Sequence, residues 1–473
     1  MPLILGAQSA IAATGVVTNS CRFNPADDPT LTRSSIGTPT DVNKWTFSAW
    51  VKRGRVASDN GIMRMYADDN NYTTVNVSGA GAIEFDNKVS SSFDGRRMTD
   101  GKYLDPAAWY HYVMVYDSDN VTGDDRMITY VNGTRITAWG TDSDPGSGSA
   151  SGLGSGNTMT VGSGGATGTA EWGGYLAEVA LCDGQAYAAS DFGEFDEDTP
   201  TAWKPKAITG LTFGAQGFYL DFEDSSDLGA DVSGNGNDFT SANLDATDQA
   251  TDTPVNNFCT MNPLQNRSLL TFSEGNNKIA GVGDGYGRGG FGTMALSAGK
   301  WYFEMNVSST IPGNTTMGIC NTNGIQSQSA LRFNPFGSGT EYSYGYRQNG
   351  EKITADTSSS YGNTYTQNDI ISCAFDITNL KIYFAKNGTW ENSGVPTSGA
   401  TGTGSAFDLQ SGEDYMPAQY FDNGPTIEFN FGGCAAFTVS SGNADGNGYG
   451  DFEYEPPSGY LAICTKNIGS DGG

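Results

Sequence analysis

Two carboxylates spaced two residues apart on a strand point to the same side. Retaining glycoside hydrolysis needs such a carboxylate pair, and a third acid three residues further on would complete a Glu-x-Asp-x-x-Glu set. The nearest approach in this chain is Glu194-Phe195-Asp196, with Thr199 in the third acidic position. The acid/base partner is missing, so no hydrolase chemistry is expected. A histidine-based triad has one imidazole to draw on, His111, set between Tyr110 and Tyr112 in an apolar run. A structural role is expected for it. A different chemistry is offered by Asp231-Val-Ser233-Gly-Asn235-Gly236-Asn237-Asp238, which puts oxygen donors at positions 1, 3, 5 and 8 of a loop with Gly at 6. That is the first half of an EF-hand-type calcium loop. Position 12 holds Ala242 where a bidentate Glu belongs, and Asp221, Glu223 and Asp224 are the nearby replacements. The candidate calcium set is Asp221, Asp224, Asp231, Ser233, Asn235 and Asp238, with calcium as an optional cofactor. Asn443-Ala-Asp445-Gly-Asn447-Gly has the same flavour. Such Gly/Asn/Asp clusters are also ordinary turn formers. Finally, Trp109, Tyr342, Tyr344, Tyr346 and Trp390 are aromatic faces on which a sugar could stack. Tyr342, Tyr344 and Tyr346 alternate on one strand face, which is equally the pattern of a core stripe.

The chain has 473 residues, enough for two or three domains. Its 65 glycines are scattered between short apolar runs, with no collagen period. Such turn-rich, aromatic sequence indicates an all-β protein. The one weak helical candidate is Gln185 to Phe192. The formal charge of −28 repels phosphate backbones and anionic membranes, so no nucleic-acid partner is expected. Seven cysteines, an odd number with no CxxC pair, read as buried free thiols in a reducing compartment, and with a single His zinc is not expected. The N-terminus, MPLILGAQSAIAATGVVTNS, is apolar and lacks a basic leader region. No uninterrupted apolar run is long enough to insert in a membrane.

Elements must position these residues. In Asn368 to Trp390, Ile371, Cys373, Phe375 and Ile377 alternate with smaller or polar residues, a turn follows at Thr378–Asn379, and Leu380, Ile382 and Phe384 alternate with Lys381, Tyr383 and Ala385. A period of two broken by a turn predicts a hairpin with one buried face. Trp45 to Arg53 alternates Trp45, Phe47 and Ala49 against Thr46, Ser48 and Trp50. Trp109 to Tyr116, Arg126 to Ile136 with an Asn132-Gly133 turn, and Gly174 to Leu181 are further strand candidates. Asp142 to Gly165 reads as a long Gly/Ser-rich loop and Asp245 to Asn257 as a linker.

The central hairpin ending in Lys386-Asn387-Gly388 resembles that of SPRY domains. Gly299-Lys300-Trp301-Tyr302-Phe303-Glu304-Met305 resembles their early strand, and Ile427-Glu428-Phe429-Asn430-Phe431-Gly432 their late one. The FSAWVK, WYHYVMVY, YVNG and GYLAEV segments, in that order, resemble the laminin G-like and concanavalin A-like family, some of whose members are glucanases. The segment DVSGNGND, which opens many such domains, comes late here, as in a permuted order. These resemblances imply two tandem antiparallel β-sandwiches, a jelly-roll concanavalin A-like one and then a SPRY-like one. The boundaries read 1–22 as an attachment arm, 23–257 and 258–466 as the sandwiches, and 467–473 as a tail.

The pairing of these two sandwiches behind a small-residue arm resembles structural proteins of tailed bacteriophages. The resemblance implies a non-enzymatic virion surface protein, a fibre, spike or capsid-decorating adhesin that assembles in the host cytoplasm. Its sandwiches would engage a host-surface glycan, and its arm other virion proteins or sister copies. A homo-oligomer, most simply a trimer, is expected. The alternatives are a purely architectural virion protein and a polysaccharide depolymerase.

Overall fold

The computed structural model describes residues 4–5, 17–56, 58–164, 170–265, 270–283, 287–311, 313–322, 334–337 and 342–471. The chain divides into two compact units: Ile11–Val255, and Asn256–Gly473 together with Met1–Ala10.

The first unit is built from two eight-stranded antiparallel sheets. The first sheet runs Thr134–Arg135, Met127–Val131, Trp109–Asp117, Lys44–Arg53, Gly174–Asp183, Ser20–Phe23 and Gln249–Ala250, and Phe218–Leu220 also pairs with Gly174–Asp183. The second runs Trp139–Ser143, Ser92–Thr99, Ile83–Val89, Asn71–Val77, Asn60–Asp68, Thr158–Val161, Thr30–Arg33 and Thr240–Ala242. Between them lie alternate residues of each strand: Trp45, Phe47, Ala49 and Val51 from one sheet face Met63, Met65, Val75, Phe85 and Met159 from the other. The Asn132-Gly133 turn forms as expected. Val131 pairs with Thr134, and φ is 46° at Asn132 and 76° at Gly133, the left-handed pair a two-residue hairpin requires.

The first sheet is buried on its other side as well. Val113, Val115, Ala180 and Cys182 are covered by Ala189, Phe192, Trp203, Ile208, Leu211 and Phe213. This covering segment contains a single 3-10 turn, Ala189–Asp191, where Gln185 to Phe192 was expected to lean helical. The outward face of the second sheet carries polar side chains, of which Arg64, Thr74, Asp86 and Thr160 are themselves buried.

Several boundaries differ from the sequence reading. Ser20–Phe23, assigned to the arm up to residue 22, is an interior strand of the first sheet. Of the arm, residues 1–3 and 6–16 lie outside the described residues, and Ile4–Leu5 pairs in parallel with Met294–Ala295 of the second unit. Trp139–Ser143 and Thr158–Val161 are strands at the two ends of the expected long loop. The expected linker is sandwich: Gln249–Ala250 is a strand, and Asp252 and Thr253 are buried. Its polar residues go inside because the first sheet holds cations for them: Arg22 pairs with Asp248 at 3.2 Å and Lys52 with Asp252 at 2.5 Å.

The second unit carries a nine-stranded and a six-stranded sheet. The larger is centred on Thr426–Asn430, Lys300–Val307, Ile370–Asp376 and Lys381–Lys386, and the smaller on Tyr415–Asp422, Thr315–Asn321 and Tyr344–Arg347. The hairpin of residues 370–386 closes through the four residues 377–380, with Asp376 opposite Lys381. Asp376 accepts the Asn379 backbone N–H at 2.8 Å, which shapes this longer turn. Both of its faces are buried. Ile371, Cys373, Phe375, Ile382 and Phe384 enter the inter-sheet core, while Ala374 meets Tyr302, Phe452, Tyr460 and Ala462 on the other side. The tail from 467 is a helix, Thr465–Asp471, whose Asn467 and Ile468 are buried. All seven cysteines are buried. No helix among the described residues is long and apolar enough to cross a membrane.

Candidate functional site

The acidic and histidine candidates are structural. Glu194 and Asp196 both lie against Lys204, at 3.6 and 3.2 Å, on the small hairpin Gly193–Phe195 and Trp203–Pro205. Asp196 also accepts the backbone N–H groups of Asp198 and Thr199. His111 is buried. Its Nδ1 accepts the indole N–H of Trp203 at 2.9 Å, and indole can only donate, so the proton sits on Nε2 and points at Ser48 Oγ, 2.8 Å away. Burial pushes this imidazole down to about 3, so it stays neutral. A ring that donates to the serine hydroxyl is not its general base.

The calcium loop is occupied by its own donors. Asp231 Oδ1 accepts the N–H groups of Tyr219 and Ser233, and its Oδ2 accepts Ser233 Oγ–H and the Asn237 N–H, all at 2.8–2.9 Å. Asp238 Oδ1 accepts the Asp231 N–H at 2.9 Å. Asn235 and Asn237 turn their amide N–H groups to the carbonyls of Gly214, Ala215 and Gly217. Arg33 supplies the positive charge, donating to Asn237 Oδ1 at 2.7 Å with Asp231 and Asp238 acting on its guanidinium. Asp221 and Asp224 are spent locally on the Glu223 N–H and on Ser226. Among the described residues, no three Asp, Glu, His or Cys side chains converge as a metal site would require. The second such loop is a clasp: Asp445 accepts from Asn447, Tyr449, Ala462 and Asn467.

The aromatic candidates are not brought together on a surface. Tyr344 and Tyr346 are in the core, against Phe407, Tyr415, Tyr361, Tyr365 and Phe384. Tyr342 is exposed but precedes the strand, at φ 65°. Trp390 packs beside the Tyr302–Phe452 cluster. Trp109 is half-buried and donates to Asp252 at 3.0 Å.

What the fold does present is the open face of the second sheet in the first unit. Register places Arg96, Asp86, Thr74, Arg64, Thr160 and Thr32 side by side across six strands. A parallel row holds Phe93, Lys88, Tyr72 and Tyr66. The Arg64 guanidinium lies between two phenol rings, 4.6 Å from the Tyr66 centroid and 4.7 Å from that of Tyr72. Its Nη2 donates to Asp69, and its Nε has no hydrogen-bond partner. Arg96 stacks on Phe93 at 4.4 Å and its Nε lies 3.3 Å from Asp86. Burial pushes the Asp86 carboxyl up to about 7 even with that cation beside it. Arg64, Thr74 and Asp86 form a buried floor, while Phe93 is 42% exposed at the rim. Planar rings beside fixed donors and acceptors suit a ligand with apolar C–H faces and many hydroxyls. The signal was available in MRMYADDNNYTTV: a hairpin through Asp69-Asn70 puts Arg64, Tyr66, Tyr72 and Thr74 on one face.

Comparison with known proteins agrees with the architecture. Residues 27–189 match the model of the concanavalin A-like lectin/glucanases superfamily, and residues 300–434 that of the SPRY domain. An ATP-dependent RNA helicase, Ddx1 of Drosophila melanogaster, is 27% identical over 175 residues, 36% of this chain and 19% of the helicase. The chain thus matches under a fifth of that relative's length. Among solved structures, the SPRY domain of human HERC1 is 16% identical (TM-score 0.25), covering 34% of this chain and 90% of that one. A pentraxin from Limulus polyphemus is 22% identical (TM-score 0.26), covering 34% and 71%. A Bacteroides ovatus protein described as carbohydrate binding is 17% identical (TM-score 0.31), covering 49% and 61%. The chain joins a laminin G-like, concanavalin A-like domain to a SPRY domain.

Proposed function

We propose that this chain is a binding protein whose concanavalin A-like domain takes a glycan on the open face of its second sheet. The observation that carries the reading is the Arg64 guanidinium held between Tyr66 and Tyr72 above a floor that includes Thr74 and Asp86. The lectin-containing superfamily matched over residues 27–189 supports it. The reading is non-enzymatic, supported by Glu194 and Asp196 both lying on Lys204 and by His111 donating to Ser48.

Its setting, in this reading, is the surface of a tailed-bacteriophage particle, as a fibre, spike or decorating adhesin that meets a host-surface glycan. The support is the pairing of these two domains behind an apolar, small-residue N-terminus. That N-terminus joins the protein to other virion chains or to its own copies, with a trimer as the simplest assembly. Binding of the labelled protein to host cells, compared with Tyr72→Ala, tests the adhesin. Equal binding by the variant removes this face from the account. No binding by either chain, with normal incorporation into particles, favours a purely architectural role.

A further inference from the structure

On the covered face of the first sheet, a lysine and an aspartate 200 residues apart in sequence are buried together. Lys52 Nζ lies 2.5 Å from Asp252 Oδ2, with side-chain exposures of 1% and 2%. The other described lysine–carboxylate pairs leave the lysine side chain 13% exposed or more. Register sets Lys52 between Trp109 on one neighbouring strand and Tyr175 on the other. Its ammonium is 5.7 Å from the Tyr175 ring centroid. The Trp109 indole N–H is fixed on Asp252 Oδ1 at 3.0 Å.

An ion pair out of water recovers little of its desolvation cost. Condensing the two groups removes both charges from the interior and expels one water. We infer that Lys52 and Asp252 join autocatalytically in an intramolecular isopeptide bond, with the Trp109 N–H as oxyanion donor. The ammonium of Lys52 first passes a proton to Asp252 Oδ2, leaving a neutral amine and a neutral acid. The amine lone pair then attacks Asp252 Cγ, and the charge gathering on Oδ1 is met by the indole N–H. A proton passes from the attacking nitrogen to the Oδ2 hydroxyl beside it. The Cγ–Oδ2 bond breaks, water leaves, and a secondary amide remains. Nothing is oxidised or reduced. The bond ties the strand Lys44–Arg53 to the segment that ends the first unit, as a cross-link no reductant can open.

The test is the intact mass of the full-length folded chain, with peptide mapping after trypsin. The wild type is expected to weigh one water less than its sequence and to yield one branched peptide joining Lys52 to Asp252. Lys52→Arg and Asp252→Ala are expected at full sequence mass. A folded wild type at full sequence mass, without the branched peptide, overturns the inference and leaves an ion pair.

Discussion

Replacing Glu178 by Gln should stabilise the first domain at neutral pH. Glu178 sits in a bulge of the strand Gly174–Asp183, at φ 50°, and is buried. Its Oε2 accepts the Tyr219 hydroxyl at 2.6 Å. Burial pushes its carboxyl from 4.5 up to about 8, and the charges of Asp221 and Glu223 push the same way. Because the folded-state value is raised, the folded chain holds a proton that the unfolded chain has released. Stability is then complete below about 4.5 and falls as pH rises toward about 8. At ~1.4 kcal/mol per unit, the cost accumulated by neutral pH is roughly 3 kcal/mol. Glutamine keeps an oxygen for the Tyr219 hydroxyl and carries no charge at any pH. For a domain of this size, roughly 3 kcal/mol raises Tm by about 6–12 °C. Calorimetry of wild type and Glu178→Gln across this pH range reads both effects. The reasoning fails if the variant melts at or below the wild type at neutral pH, or if the gap between them does not widen with pH.

Other consequences follow from particular residues. Chelator should leave the melting curve unchanged, because Asp231 already accepts four donors, and Asp231→Ala should cost about 2–4 kcal/mol with or without it. A chelator-dependent fall in Tm would restore the calcium reading. Asp445→Ala should free the C-terminal helix, seen as faster amide exchange in residues 462–468, since four donors lose their acceptor. Thiol reagent should label all seven cysteines only after denaturation, and labelling of the native chain would contradict their burial.

The strands were legible wherever one face alone is apolar. Trp45, Phe47 and Ala49 against Thr46 and Ser48 gave both the strand and its inward side. The reading weakened where both faces of a strand carry apolar side chains, because period two then vanishes; Tyr383 and Ala385 are as buried as Ile382 and Phe384. Polar segments misled for a related reason. Asp248 and Asp252 looked like linker residues, and only the distant Arg22 and Lys52 explain their position in the fold. The proposed site is not legible when exposure is assigned to aromatics residue by residue. Tyr344 and Tyr346 fill the core, whereas Tyr66 and Tyr72 become a platform only when Arg64 is seen between them. The Asp231 loop reads both as a calcium set and as a turn, because a sequence does not reveal that its acceptors already hold donors of the fold.

The proposed glycan site lies on the outward face of the second sheet. The most direct measurement is titration of the intact protein with an array of bacterial surface oligosaccharides, repeated with Tyr72→Ala and with Tyr342→Ala. Loss of one stacking ring, with the Arg64 guanidinium no longer held between two, is worth about 1–2 kcal/mol, so Tyr72→Ala should weaken binding roughly tenfold. Tyr342→Ala, whose ring lies in the other domain, should bind as the wild type does. Saturable binding that survives Tyr72→Ala unchanged, or that is lost with Tyr342→Ala instead, would contradict the account.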